Sequence, residues 1–325
     1  SVAKAWSDIA PADLIVEAVF EKMGPKRSVL AEIEAVCRRD AIIASNTSTL
    51  DLDQLAETLT DPQRLIGLHF FNPAQAMPLV EVVQAARSAP EVMATGLNLV
   101  KTMRKTPVLI KNSTGFVVNR LFIPYLKEAF QLLEDGAQAR AIDAAMCKFG
   151  FAMGPLTLID MAGLDLLVFT DVQMCPAFSH HLPVSRLATH LFDQGCLGQK
   201  SGAGVYSYDK GDYTPREHGL TQDILTRVQA ELGKASRAID PEEITDRLVL
   251  RMVSEGFRVL EEGIAQRASD IDVAMVLGTG FPDFRGGVLK YAHDTGVDKI
   301  IYRLDALAER CGERFRPCKS MRTKC

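Results

Sequence analysis

Apolar and polar positions follow two different rhythms along the 325 residues. Up to about residue 112, short apolar runs alternate with stretches of helical period. Asp13-Leu14-Ile15-Val16-Glu17-Ala18-Val19 reads as a buried strand. Residues 26–37 read as a helix, with Val29, Leu30, Ile33, Val36 and Cys37 on one face. Residues 41–44 form the next strand, and Ser48 or Thr49 stands where it could cap a helix over 52–59. Strands over 64–71 and 78–83, a helix over 91–104 and a strand over 108–110 complete the series. Such alternation predicts an open, mostly parallel sheet.

From residue 114 the period becomes helical, beginning with a long amphipathic stretch over 116–134. Residues 209–242, with Asp209 to Pro215 and Ile239-Asp240-Pro241, read as a linker carrying a helix near 222–231. The helical part contains an internal repeat. Asn119-Arg120-Leu121, Glu128, Leu133-Glu134-Asp135-Gly136, Ile142-Asp143-Ala144-Ala145-Met146 and Gly150-Phe151 form one copy. Asp246-Arg247-Leu248, Glu255, Leu260-Glu261-Glu262-Gly263, Ile271-Asp272-Val273-Ala274-Met275 and Gly280-Phe281 form the other. The offset drifts from 127 to 130, which loops absorb, and two copies predict two helical modules packed on each other. The expected organisation is a sheet domain over 1–112, helical modules over 113–208 and 243–325, and the linker between them.

Composition narrows the classes. The chain is 47% hydrophobic and 24% charged, with mean hydropathy +0.04, which suits folded domains. No apolar run reaches the ~18 residues of a membrane span. A net charge of −4 with scattered basic residues argues against a nucleic-acid partner. Seven cysteines, an odd number without a C-x-x-C, predict neither a disulfide framework nor a zinc site. His180-His181 with His190 lacks a carboxylate or thiol at ligand spacing and reads as a solvated loop, so no metal is expected. Gly195-Cys-Leu-Gly-Gln-Lys-Ser201 has the flavour of a phosphate-binding loop, but Gln199 precedes the lysine where glycine is needed and no strand leads into it.

The polar residues with chemical potential cluster at strand ends, where ligands of open parallel sheets bind. Phe20-Glu21-Lys22, Ser45-Asn46-Thr47-Ser48, and His69 with Asn72 would line one crevice. His69 and Glu81 lie twelve residues apart, symmetric about Gln75. If 64–71 and 78–83 fold back on each other, these two become cross-strand neighbours, about 4.5–5.5 Å apart at Cα. The carboxylate could then fix the ring tautomer and favour its charged form, making a proton-transfer pair. On spacing alone, a core histidine beside an edge-strand carboxylate is the favoured reading.

The motifs Leu68-His69-Phe70-Phe71-Asn72-Pro73 and Met77-Pro78-Leu79-Val80-Glu81 resemble the active-site signature of L-3-hydroxyacyl-CoA dehydrogenases. Ser45-Asn46-Thr47-Ser48 resembles that family's serine segment, and Val16-Glu17-Ala18-Val19-Phe20-Glu21 its ribose-contacting strand end. Gly115-Phe116-Val117-Val118-Asn119-Arg120 resembles the opening of its helical domain. The likeness covers nearly the whole chain, and the tandem helical modules resemble those of multifunctional fatty-acid β-oxidation proteins. It implies an α/β then all-α fold, with a Rossmann-type parallel sheet. It implies that His69 takes the proton of the 3-hydroxyl and that Glu81 orients it. Ser48 and Asn119 would bind substrate. Glu21, Lys26, Ser48 and Asn72 would bind NAD.

One departure stands out. The family's first strand is followed by a G-x-G-x-x-G turn, which sets a helix N-terminus against the pyrophosphate, and none occurs here. The sheet is therefore expected to be truncated, with an apolar edge near Asp13–Val19 and weak NAD turnover. An upstream enoyl-CoA hydratase domain is expected in the intact protein. Peroxisome, mitochondrion and bacterial cytoplasm all fit. Thr323-Lys324-Cys325, loosely like Ser-Lys-Leu, tilts the balance slightly to the peroxisome. The alternative reading is a non-catalytic structural or acyl-CoA-binding member of the same fold family.

Overall fold

The computed structural model describes residues 4–174, 178, 183–233 and 236–323. Two compact units emerge, Ser1–Arg120 with Val259–Thr279, and Leu121–Arg258 with Gly280–Cys325.

The first unit is built on five strands, β1 (Leu14–Glu17), β2 (Ile42–Ser45), β3 (Leu65–Phe70), β4 (Leu79–Gln84) and β5 (Thr106–Lys111). They lie side by side in sequence order. All neighbours are parallel except β3 and β4, so the mostly parallel sheet expected from the apolar runs is the one found. Its helices are α1 (Met23–Val36), α2 (Leu52–Ala56) and α3 (Pro90–Thr102). Proline opens α3 at a position with no amide partner to lose, and Met93, Gly96 and Val100 make its buried face. That face covers Ile42, Ala44, Ile66, Leu68, Val80 and Val82. A Cβ on Gly96 would come within 2.6 Å of Ile66 Cδ1, so the helix approaches the sheet through a residue without a side chain.

The edges of the sheet differ. Lys111 N–H donates to Ile264 O at 2.8 Å, and Ile110 bridges Ala265, so β5 is covered. β1 is the other edge, as expected near Asp13–Val19, with Val16 38% exposed and Phe20 83% exposed just beyond it.

Two local expectations are corrected. Helix α2 is capped by the Asp51 carboxylate, which accepts from Asp53 N–H at 2.9 Å, and stops at Ala56. Ser48 and Thr49 lie three and two residues before that cap position, and their amides donate to Glu21 at 2.8 Å each. The long helix begins at Val118 instead of residue 116, because Phe116 takes a left-handed conformation with φ 53°.

The remaining helices are α4 (Val118–Glu134), α5 (Ala139–Phe149), α6 (Pro155–Ala162), α7 (Leu164–Gln173), α8 (Arg186–Asp193), α9 (Gly219–Glu231), α10 (Pro241–Glu261), α11 (Ala268–Thr279), α12 (Val288–Thr295), α13 (Val297–Cys311) and α14 (Lys319–Thr323). Most of them build the second unit, while α11 packs on β4 and β5 in the first. The repeat seen in sequence maps α4–α5 onto α10–α11, and it runs further than the sequence showed. Gly154 and Gly163 flank α6 as Gly287 and Gly296 flank α12, nine residues apart in each case. His190 lies on α8, so it is helical where a loop was expected, because Leu187, Ala188 and Leu191 form a buried stripe beside it. His180-His181 and Lys324-Cys325 fall outside the described residues.

Residues 195–208 fold back onto α6. Asp160 accepts from Val205 and Tyr206 N–H and from the Tyr208 hydroxyl, each at 2.9 Å. Burial nevertheless pushes its carboxyl up to about 6. Within the stretch 195–201, Gly198 packs against the Asp160 backbone, where an added Cβ would overlap the carbonyl oxygen.

The repeat copies meet at Glu128 of α4, which is 1% exposed. Its carboxylate accepts from Arg247 Nε of α10 at 2.7 Å and from Arg314 Nε at 2.8 Å. Burial pushes this carboxyl up, but the Arg247 and Arg314 charges outweigh it and hold it below its ordinary value. Glu128→Ala strands the fully buried Arg247, and a loss of about 3–5 kcal/mol is expected in denaturant unfolding. Because the folded-state pKa is depressed, the Glu128 contribution is complete above the ordinary carboxyl range. It disappears as pH falls through the folded value, and the variant's deficit should shrink there.

Candidate active site

The antiparallel pairing of β3 and β4 sets the register Gly67↔Val83, Leu68↔Val82, His69↔Glu81 and Phe70↔Val80. Leu68 and Val82 point into the core under α3, so alternation sends His69 and Glu81 to the opposite face. There His69 Nδ1 lies 2.7 Å from Glu81 Oε2. Both are buried, at 4% and 0% exposure. An ionised carboxylate only accepts, so Nδ1 carries a proton, and in the neutral ring Nε2 keeps its lone pair. Among the described residues Nε2 has no hydrogen-bond partner.

Glu81 is itself held. Its Oε1 accepts from Val117 N–H at 3.0 Å and from Val118 N–H at 2.9 Å, the first amides of α4. The chain reaches this position by two consecutive left-handed residues, Gly115 at φ 73° and Phe116 at φ 53°. Such a turn points successive N–H groups at one anion. It also brings the Phe116 ring to 5.5 Å from the imidazole, while Phe71 lies 4.5 Å away on another side. The imidazole is thus fixed by one ion pair and two aromatic walls.

The other strand ends converge as expected. Glu21 Oε1 accepts from the Thr47 hydroxyl at 2.7 Å and from Ser48 and Thr49 N–H at 2.8 Å. Burial pushes this carboxyl up, but these donors and the Lys26 charge hold it below its ordinary value. Asn119 Nδ2 donates to Ser48 O at 3.2 Å, and Asn46 Oδ1 accepts from Phe70 N–H at 2.9 Å. Asn72 is exposed beyond β3, before Pro73, and makes no side-chain hydrogen bond among the described residues. Lys26 is 1% exposed and donates to both Glu17 oxygens at 3.0 Å.

Two contributors received no role from sequence, namely Glu17 and the Val117–Val118 amides, while Ser45 was placed in the crevice. A carboxylate inside the apolar run 14–19 was the available signal for Glu17, since burial demands a cationic or hydrogen-bonding partner. Backbone amides carry no residue-type signal at all. Among the described residues, no group of three His, Cys, Asp or Glu could hold a metal, and no helix is long and apolar enough to cross a membrane.

Comparison with known proteins gives a consistent pattern. The family model for 3-hydroxyacyl-CoA dehydrogenase, NAD binding domain, matches residues 1–113. The model for its C-terminal domain matches 115–208 and 244–325. The peroxisomal bifunctional enzyme of Danio rerio is 40% identical over 310 residues, covering 92% of this chain and 43% of that protein. The fatty acid oxidation complex subunit alpha of Shewanella putrefaciens is 35% identical over 323 residues, covering 98% and 44%. The chain therefore spans under half the length of these relatives. The crystal structure of 3-hydroxybutyryl-CoA dehydrogenase from Escherichia coli K12 superposes with a TM-score of 0.86 at 29% identity, covering 99% of this chain and 83% of that one.

Nitrogen NMR of the His69 ring is expected to show the neutral form as the Nδ1–H tautomer. Glu81→Gln should erode that preference and destabilise the fold by about 1–3 kcal/mol, because the buried donors lose a charged acceptor. An Nε2–H tautomer in the parent protein would contradict the geometry.

Proposed function

The chain belongs to the 3-hydroxyacyl-CoA dehydrogenase family, and from that premise we propose that it forms the dehydrogenase part of a protein that oxidises L-3-hydroxyacyl-CoA to 3-ketoacyl-CoA with NAD in fatty-acid β-oxidation. The observation that carries this reading is the buried His69–Glu81 pair at 2.7 Å, with Nε2 of the ring unpaired among the described residues.

In this proposal His69 Nε2 removes the proton of the substrate 3-hydroxyl. The Glu81 carboxylate compensates the positive charge the ring then acquires, and the Val117 and Val118 amides keep that carboxylate in place. Ser48 and Asn119 hold the substrate oxygen and the thioester region. Asn119 is suited to this because Nδ2 is tied to Ser48 O, which leaves its Oδ1 without a partner among the described residues. Phe71 and Phe116 exclude water from the ring.

For NAD, the proposed holders are Glu21, Ser48 and Asn72, with Lys26, buried against Glu17, Val19 and Glu21, supporting Glu21 from behind. The unpaired Ser48 hydroxyl beside the Glu21 carboxylate suits the nicotinamide-ribose end. When bound, NAD accepts the hydride that leaves C3. The 325 residues contain no G-x-G-x-x-G to seat the pyrophosphate, so slow turnover is proposed for this chain by itself. The 40% identical peroxisomal bifunctional enzyme supports a peroxisomal protein, the bacterial relatives support a bacterial home, and an enoyl-CoA hydratase domain is proposed upstream in the intact protein from the resemblance alone.

The test is reduction of acetoacetyl-CoA, followed by NADH absorbance. His69→Ala is expected to cut the rate by about 10²–10⁴-fold with the circular dichroism unchanged, and Glu81→Gln by ~10²-fold or more. An undiminished rate in His69→Ala overturns the proposal. A rate for this chain equal to that of a complete enzyme removes the argument about the pyrophosphate seat.

A further inference from the structure

Four hydroxyl side chains line the turn after β2, those of Ser45, Thr47, Ser48 and Thr49. Three are engaged. Ser45 Oγ donates to Glu17, and Thr47 and Thr49 donate to Glu21. Among the described residues, only the Ser48 hydroxyl has no partner. A turn whose every other hydroxyl is tied down presents that one group in a fixed place.

What ties it down can be followed inwards. Glu21 holds the turn through Oε1 alone, which takes the Ser48 and Thr49 amides and both threonine hydroxyls. Its other oxygen, Oε2, lies 3.5 Å from the Lys26 ammonium. Lys26 sits on α1, 1% exposed, and an ammonium has three N–H donors. The two Glu17 oxygens at 3.0 Å and Val19 O at 3.2 Å take all three, and the Glu21 carboxylate faces the charge as an ion pair at 3.5 Å. Glu17 lies at the end of β1, 3% exposed and in register with Ser45 of β2. Its Oε2 also accepts from Val19 N–H at 3.2 Å. Two carboxylates four residues apart in the chain therefore share one buried cation, and each grips a different point of the turn. Glu17 grips its start at Ser45, and Glu21 grips its middle.

Resting on the reading above that Ser48 contacts the reacting groups, we propose that Glu17 is a positioning residue. It anchors Lys26, Lys26 anchors Glu21, and the two carboxylates together fix the 45–49 turn and the Ser48 hydroxyl. Lys26 has no donor left over, so its part is to lock the two carboxylates. Glu17 touches neither substrate nor cofactor in this arrangement. Its effect on the reaction comes entirely through the placement of Ser48, where a misplacement of about 1 Å is enough to slow a reaction by up to ~10²-fold.

The test compares Glu17→Gln, Lys26→Met, Glu21→Ala and the double variant Glu17→Gln with Lys26→Met, all in the 325-residue chain. The first readout is amide hydrogen exchange at Ser48 and Thr49 without ligand. All four variants should exchange these amides roughly tenfold faster or more, with the β3–β4 amides unchanged. The second readout is the thermal midpoint. The double variant removes both charges of the fully buried Glu17–Lys26 pair and leaves Glu21, 24% exposed, with its hydroxyl and amide donors, so it should recover most of the stability lost in either single variant while Ser48 and Thr49 stay fast. The third is the His69-dependent reduction of acetoacetyl-CoA, in which kcat should fall by about 10–10²-fold while KM for acetoacetyl-CoA changes little. Unchanged Ser48 and Thr49 exchange in Glu17→Gln, or a double variant that recovers stability and exchange protection together, overturns the positioning role. The exchange result stands without any catalysis, so an active His69→Ala would sink the functional reading alone, whereas unaltered exchange would sink this proposal alone.

Discussion

A single buried contact organises the first unit, the hydrogen bond between His69 Nδ1 and Glu81 Oε2. It is possible because one pair of strands in an otherwise parallel sheet runs antiparallel. In a parallel pair, two residues twelve positions apart could not face each other, because the return crossover consumes the chain between them. The hairpin also turns both side chains away from the core under α3, so a polar pair is accommodated without cutting the hydrophobic cluster. The carboxylate then needs partners for its second oxygen, and the left-handed residues Gly115 and Phe116 deliver them as the opening amides of α4.

The same logic recurs at the other strand ends. Glu17, Glu21 and Glu81 are carboxylates at the carboxyl side of the sheet, and each is saturated by donors that also shape a loop. Burial alone would make all three costly. Here the cost is offset by tying down turns that a parallel sheet would otherwise leave loose. The second unit uses charge differently. Glu128, Arg247 and Arg314 join the two repeat copies through a buried ionic cluster without an unpaired acceptor at its centre.

Much of this was legible in the residues. Apolar runs located all five strands, most plainly β2, β3 and β4, which are buried on both faces and so read as continuous hydrophobic stretches. The symmetric spacing of His69 and Glu81 gave their register directly. The repeat was visible at Arg120 and Arg247, Glu128 and Glu255, where burial constrains residue type. Its continuation through Gly154, Gly163, Gly287 and Gly296 was hidden, because a glycine that ends one helix and caps the next leaves neighbouring positions free to vary. The cap of α2 was misjudged at Ser48 and Thr49 because several residues before the helix have capping side chains, and only the helix boundary at Leu52 selects Asp51. The start of α4 was misjudged by two residues because no apolar period reveals a left-handed phenylalanine.

The hairpin carries a consequence for how this chain tolerates change. Side chains on a strand alternate with a period of two, so lengthening or shortening β3 or β4 by one residue would invert every side chain beyond that point. Glu81 would then be driven among Ile66, Leu68 and Val82, and a valine would replace it beside the imidazole. Length variation is therefore confined to the tip between Phe70 and Leu79, where extra residues leave the pairing of Gly67 with Val83 intact. Beyond Phe71 and Asn72 that tip can accept extra residues, whereas the strands can change length only two residues at a time.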